Sequence, residues 1–370
     1  MLNIVLTLAS SFIISIFAMP SIITVSKLLG LYDKPNNRKI HTNKTPRLGG
    51  IGIFISLLLC IWFFISDQDL PNARFLYGAL LMLFFSGLKD DILVMSPINK
   101  LLIQLFAAGL ITIGQGITID HFHGIFGINE IPYSASICLS IFTIIVITNS
   151  INLIDGVDGL AGGLGFIISM TFALWFNYMG QTGFSMMAFA LSGSLLGFLL
   201  FNFNPAKIFM GDAGSLTSGF LISIFAIKII SINSPISNLD NKLLSAPAIA
   251  ISILIVPLYD TLRVFIIRTV NRKSPFIADR NHVHHILLKI GLNHKSVCYT
   301  LYAISIIFTS TAILIKDNPS YIVLAIILGM ALVIGQLPFY LYRHRLTDLE
   351  LEENIINFEN DIKSTITKKN

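Results

Sequence analysis

Long apolar runs constrain this chain more than any other feature. Each is about 20 residues, the length a helix needs to cross the hydrocarbon core of a bilayer. They lie at roughly 2–26, 48–66, 71–88, 99–116, 133–150, 160–179, 184–201, 214–232, 246–267, 297–315 and 321–341. A lipid-embedded backbone must satisfy its own hydrogen bonds, so the expected fold is all-α, with about eleven transmembrane helices. Only 12% of the residues are charged, against about 25% in soluble domains. Short polar turns such as Ser66–Leu70 and Met179–Gly183 predict tight antiparallel hairpins.

The cations orient the chain. Met1 to Ser26 carries no Lys or Arg, so it lacks the basic start of a cleaved signal peptide and reads as a retained first helix. With the N-terminus outside, the chain's 25 Lys and Arg fall on the cytosolic side except for Arg74, Lys242 and Lys316, with Lys228 near the outer end of a span. That satisfies the positive-inside rule; the inverted arrangement violates it. The net charge of +5 therefore reads as orientation and gives no support for a nucleic-acid partner. Residues 1–343 form one membrane domain in this reading, and 344–370 a polar, partly helical cytosolic tail. Cys60, Cys138 and Cys298 read as small buried hydrophobes. His121 and His123 fall in an external loop, expected to be solvated.

The polar clusters return to the cytosolic face. The first loop holds Asp33, Lys34, Arg38, Lys39, His41 and Arg47, shaped by Pro35, Pro46 and a Gly pair, and suits an anion. The second holds Lys89-Asp90-Asp91; adjacent carboxylates repel, and a helix C-terminus opposes them. In the third, Asn149 and Asn152 share a helix face, and Asp155 and Asp158 flank Gly156. Carboxylate and amide oxygens are hard ligands suited to Mg²⁺, a metal usually shared with substrate phosphates. The fourth runs from Asn202 through Lys207 and Phe209 to Gly211-Asp212, next to a helix start, and suits a phosphate or a metal. The fifth follows a helix that Pro257 should kink. Asp260 and Arg263 are three apart and can pair, and His282-Val283-His284-His285 follows, open to substrate contact or to a transition metal.

Together, Lys89-Asp90-Asp91, Asn149-x-x-Asn152-x-x-Asp155-Gly-x-Asp158-Gly-Leu160, Phe209-Met-Gly-Asp212-x-Gly-Ser215-Leu216 and His282-x-His284-His285 resemble the polyprenyl-phosphate N-acetylhexosamine-1-phosphate transferases. The resemblance runs from Asp33 to His285 and includes the order of the motifs. It implies a Mg²⁺-dependent enzyme, with Mn²⁺ as an alternative, in a bacterial inner membrane. Such an enzyme transfers a sugar 1-phosphate from a UDP-N-acetylhexosamine to undecaprenyl phosphate and releases UMP. Carried onto this chain, Asp212 is the principal metal ligand and Asn152 a helper. Asp90 activates or positions the lipid phosphate, and Asp91 supports it. Asp155 and Asp158 hold the nucleotide sugar, with Asn202 nearby, Asn149 and Lys207 bind substrate, and Phe209 stacks on uracil. Arg263, His282, His284 and His285 contact the diphosphate or sugar. The His motif resembles the WecA-like branch more than the MraY branch, which favours UDP-N-acetylglucosamine over a pentapeptide donor.

Three other readings stand beside this one: an MraY-type transferase, a transporter and a noncatalytic binder of lipid-linked sugars. A transporter should carry charges near mid-bilayer, whereas the five Asp residues Asp90, Asp91, Asp155, Asp158 and Asp212 map to one face. Homodimerisation through lipid-facing helices is left open.

Overall fold

The computed structural model describes residues 2–32, 45–233, 243–272 and 281–367, with side chains to residue 345. The first-loop cluster from Asp33 to His41, Lys242, and Pro275 to Arg280 lie outside the described residues.

Every expected apolar run is helical. In order the helices are α1 (Leu2–Leu28), α2 (Gly49–Phe64), α3 (Ala73–Ile92), α4 (Pro97–Gly109, continued by a π-helical turn to Gln115) and α5 (Tyr133–Leu153). They continue with α6 (Leu160–Tyr178), α7 (Thr182–Asn202), α8 (Gly211–Ile232), α9 (Ala246–Ile253) and α10 (Ile255–Val270). The last are α11 (Val283–Lys289), α12 (His294–Leu314) and α13 (Ser320–Thr367). Among the described residues the only β pairings are two isolated bridges, Tyr32–Pro46 and His121–Glu130. By length and composition, 8 of these helices suit a membrane crossing, or 9 if the bent pair α9–α10 is one span. The other two expected spans are α2, which has only 16 residues, and α3, whose last turns carry Lys89, Asp90 and Asp91.

The expected kink is a break. α9 and α10 meet at 79°, and Leu254 lies between them. Pro257 has no N–H to give the carbonyl of residue 253, and its ring crowds that carbonyl. The break falls where that bond is missing. α13 runs unbroken through residue 343, so the expected tail continues the last helix.

α7 and α8 form the centre, with 78% and 83% of their apolar stretches buried, against 22% for α1. α8 packs on α3 and α5; α7 packs on α1 and α6. Gly87 lets α3 approach the start of α8: a Cβ there would lie 2.4 Å from the backbone nitrogen of Ala213.

Two expectations fail on the periphery. His121 is 5% exposed; its Nδ1 accepts from the His123 backbone N–H at 2.8 Å, and the His123 ring meets the Ile230 carbonyl at 3.3 Å. Burial pushes His123 down to about 4, with help from the neighbouring His121. The turn is folded onto the end of α8 instead of being solvated. Cys60 and Cys298 are buried, but Cys138 is exposed.

Candidate active site

The first four N–H groups of a helix lack intrahelical partners. At the start of α8 a carboxylate from another helix takes two of them. Asp91 accepts from the backbone N–H of Asp212 at 2.8 Å and of Ala213 at 3.1 Å. Burial pushes Asp91 up to about 7, against the pull of these two N–H bonds and of Arg47; the helix dipole favours its charged form. The penalty expected for Asp91 at the end of α3 is thus offset by the cap it gives α8.

This clamp sets the distance between Asp90 and Asp212. Asp90 Oδ1 accepts from the Met95 N–H at 2.6 Å, and its Oδ2 lies 2.8 Å from Lys100 Nζ. The same ammonium lies 2.5 Å from Asp212 Oδ2. Asp212 Oδ1 accepts from Asn152 Nδ2 at 3.2 Å, and Asn152 Nδ2 also donates to Ser215 Oγ at 2.8 Å. Helices α3, α4, α5 and α8 therefore meet at one charged cluster. Its side chains are 17–25% exposed, so it is open at one side.

Lys100 is the residue that sequence reasoning missed, having counted it only as a cation at a span edge. The available signal was Ser96-Pro97: Ser96 Oγ caps Asn99 N–H at 3.3 Å, which starts α4 early and puts Lys100 inside its first turn. One turn further, Gln104 and Asn149 pair through both amide groups, at 2.7 and 3.3 Å. Asn149 also donates to the Ile145 carbonyl at 2.8 Å. Asn149 and Asn152 share a face as the spacing predicts, but Asn149 joins α4 to α5 while Asn152 reaches the charged cluster.

The turn from Asp155 to Gly159 forms the next wall. Burial raises the pKa of Asp155 to about 7; Asp212 and Asp158 add to the rise, and Arg47 opposes it. Asp158 is 5% exposed, and its Oδ2 accepts from Asn204 Nδ2 at 2.9 Å and the Ala206 N–H at 3.1 Å. Asn202, 2% exposed, accepts from the Gly159 N–H at 2.9 Å and donates to the Ile208 carbonyl at 2.8 Å. Asp158 and Asn202 thus tie this turn to the 202–208 loop. Lys207 is exposed and Phe209 half-buried. Backbone bonds hold the 209 segment against the start of α2: Phe209 N–H to the Pro46 carbonyl at 2.7 Å, and Gly49 N–H to the Phe209 carbonyl at 3.0 Å.

The histidine motif closes the far side. Asp260 does not pair with Arg263. Its Oδ1 accepts from the Val283 N–H at 2.7 Å, and its Oδ2 meets His282 Nδ1 at 3.0 Å and His284 Nδ1 at 3.8 Å. Asp260 therefore caps α11, and its short side chain is fully used there. Arg263 instead donates to the Asn281 carbonyl at 2.8 Å, with its guanidinium 3.1 Å from the centre of the Phe339 ring. His284 is 1% exposed and packs on the Asp155 turn: a Cβ on Gly156 would lie 2.6 Å from His284 Nε2. Burial pushes His284 down to about 3 against the pull of Asp260, and the adjacent His285 and His282 lower it further. It is a neutral imidazole at physiological pH. His285 is the most accessible of the three rings.

A family model described as glycosyl transferase family 4 matches residues 73–230. A Bacillus subtilis (strain 168) protein, a probable undecaprenyl-phosphate N-acetylglucosaminyl 1-phosphate transferase, is 33% identical over 328 residues, covering 88% of this chain and 89% of that one. The chain belongs to glycosyl transferase family 4. A decaprenyl-phosphate N-acetylglucosaminephosphotransferase of Mycobacterium tuberculosis (strain ATCC 25618 / H37Rv) is 30% identical, over 87% of this chain and 85% of its own. An undecaprenyl-phosphate alpha-N-acetylglucosaminyl 1-phosphate transferase of Escherichia coli (strain K12) is 29% identical, over 86% and 84%. In this family 4 member, the matched segment holds Asp90, Asp91, Lys100, Asn152, Asp155, Asp158 and Asp212. Arg263 and the histidine motif lie beyond it.

Proposed function

We propose that this chain transfers N-acetylglucosamine 1-phosphate from UDP-N-acetylglucosamine to undecaprenyl phosphate, releasing UMP and starting a cell-envelope glycan. The observation that carries the reading is the Lys100 bridge between Asp90 and Asp212, in a chain with relatives named for this activity. The distribution of Lys and Arg supports a site on the cytosolic face of a bacterial inner membrane.

In this reaction an oxygen of the lipid phosphate attacks the sugar-bearing phosphorus of the donor. The new P–O bond forms as the bond to the oxygen bridging the two phosphates breaks, and that electron pair leaves on UMP. Anion meets anion, so the site must screen repulsion and stabilise charge as it moves to the leaving phosphate. Lys100 does this from between the two carboxylates. Asp90 positions the lipid phosphate, which is already largely ionised and needs little help from a base. Asp155, near half-protonation at neutral pH, can lie beside a diphosphate with less repulsion than a full carboxylate. Arg263, held on the Asn281 carbonyl and the Phe339 ring, and His285, beside His284, are assigned to the donor on the resemblance alone.

Hard oxygen donors in a gap that already holds one ammonium suit Mg²⁺, or Mn²⁺. Asp212 and Asn152 would hold it, and it would neutralise the phosphates during transfer. The test is the purified full-length protein with undecaprenyl phosphate, Mg²⁺ and a panel of UDP-sugars. UMP release with UDP-N-acetylglucosamine is expected, and its loss on chelation with recovery on adding Mg²⁺. No UMP from any donor sinks the reading.

A further inference from the structure

The Asp155–Gly159 turn is held from behind by α12, a helix that carries none of the sequence motifs. Tyr302 on α12 donates its hydroxyl to the Gly159 carbonyl at 2.5 Å. One turn earlier, Cys298 Sγ donates to the Asp158 carbonyl at 3.2 Å. On the other side, Asn202 takes the Gly159 N–H. Two consecutive carbonyls and one N–H at the end of the turn are therefore bonded to α12 and α7. Gly159 is the junction to α6, and Leu160 N–H closes back on the Val157 carbonyl at 3.0 Å.

The tyrosine hydroxyl has space made for it. A Cβ on Gly163 would lie 1.8 Å from the Tyr302 hydroxyl oxygen, so glycine in the first turn of α6 is what admits the ring. Tyr302 and Cys298 lie outside the 73–230 segment matched by the family model. Neither touches the Asp90–Lys100–Asp212 cluster in any bond described above. Their contacts go to the backbone that carries Asp155 and Asp158.

We propose that Tyr302 is a positioning residue for the donor half of the site: through the Gly159 carbonyl it fixes the turn that presents Asp155 to the nucleotide sugar. This rests on the assignment of that turn to the donor made above. The acceptor half, at Asp90 and Lys100, is built on α3 and α4 and does not depend on this anchor. Loss of the hydroxyl should therefore separate the two substrates kinetically. A contact that weakens binding equally in ground and transition states raises KM and leaves kcat.

The experiment is steady-state UMP release by the full-length enzyme, varying each substrate in turn. For Tyr302→Phe we expect KM for UDP-N-acetylglucosamine to rise about five- to tenfold, the scale of one lost hydrogen bond. KM for undecaprenyl phosphate and kcat should stay within about twofold. Gly163→Ala, which pushes a methyl into the same hydroxyl, should give the same split and serves if Tyr302→Phe does not fold. Tyr299→Phe, one turn away and 60% exposed, should change neither KM. Equal rises in both KM values, or a lowered melting midpoint with unchanged kinetics, would mean that Tyr302 only stabilises the fold, and would overturn the proposal alone. No UMP from the unmutated enzyme would overturn the functional reading and this proposal together.

Discussion

Lys100 and Asp212, 112 residues apart in sequence, meet at 2.5 Å. The same ammonium holds Asp90 at 2.8 Å, so one cation keeps two carboxylates of different helices together. Lys100→Met leaves both carboxylates facing each other and removes the charge that screens the incoming phosphates. Turnover should fall by about 10²–10³, the scale of losing one preorganised electrostatic contact. UMP release under saturating substrates measures it, and a residual rate within threefold of the parent would refute the role.

Neighbouring carboxylates should behave differently. Asp212→Ala removes the proposed metal ligand and should abolish turnover while the protein still folds. Asp91→Ala removes the cap of α8 and should cost about 0.5–2 kcal/mol of stability. Thermal midpoints in detergent distinguish them: a clear drop is expected for Asp91→Ala and little change for Asp212→Ala. The reverse order would contradict the division of labour between the two.

Asp155 gives a pH prediction with a definite sign. Its folded pKa, about 7, is above the ordinary 3.8, so between these values the folded protein binds more protons than the unfolded chain. Stability from this group is fully present below 3.8 and is lost as pH rises through about 7. In metal-free buffer, the melting midpoint of the parent should decline from pH 5 to pH 8 more steeply than that of Asp155→Asn. Parallel profiles would remove Asp155 as the cause.

Gly156→Ala tests the contact between the histidine motif and the acidic turn. The added methyl would lie 2.6 Å from a buried ring nitrogen of His284. Overpacking of this kind costs about 1–3 kcal/mol, and the displaced turn should lower turnover at least tenfold. Activity unchanged from the parent would show that His284 and the turn move independently.

Much of the helical fold was legible because apolar length is a local property: every run predicted is helical, although the 246–267 run breaks into α9 and α10. The polar motifs likewise marked the loops that converge, since Asn152 and Asp212 do meet. Long-range choices of partner were not legible. Asp260 had Arg263 within reach on its own helix, yet the unpaired N–H at the start of α11 and His282 took its carboxylate. Lys100 looked like an ordinary cytosolic cation because nothing in its own segment shows that α4 packs on α3 and α5, which brings its side chain to Asp212. His121 sat in a stretch polar enough to read as solvated, but the turn folds against the end of α8, which only the packed structure reveals.

The Asp91 clamp has a mechanical consequence. Bilayers that thin or thicken are met by helix tilt, and a site assembled from separate spans would change its calibre with each tilt. Here the carboxylate of Asp91 fastens α3 to the first residues of α8, and Asp90 and Asp212 are the immediate neighbours of that joint. Tilting of the two helices about that joint would displace its neighbours least. On that geometry, the gap that would receive two phosphates is the part of the site least altered by a change of membrane thickness.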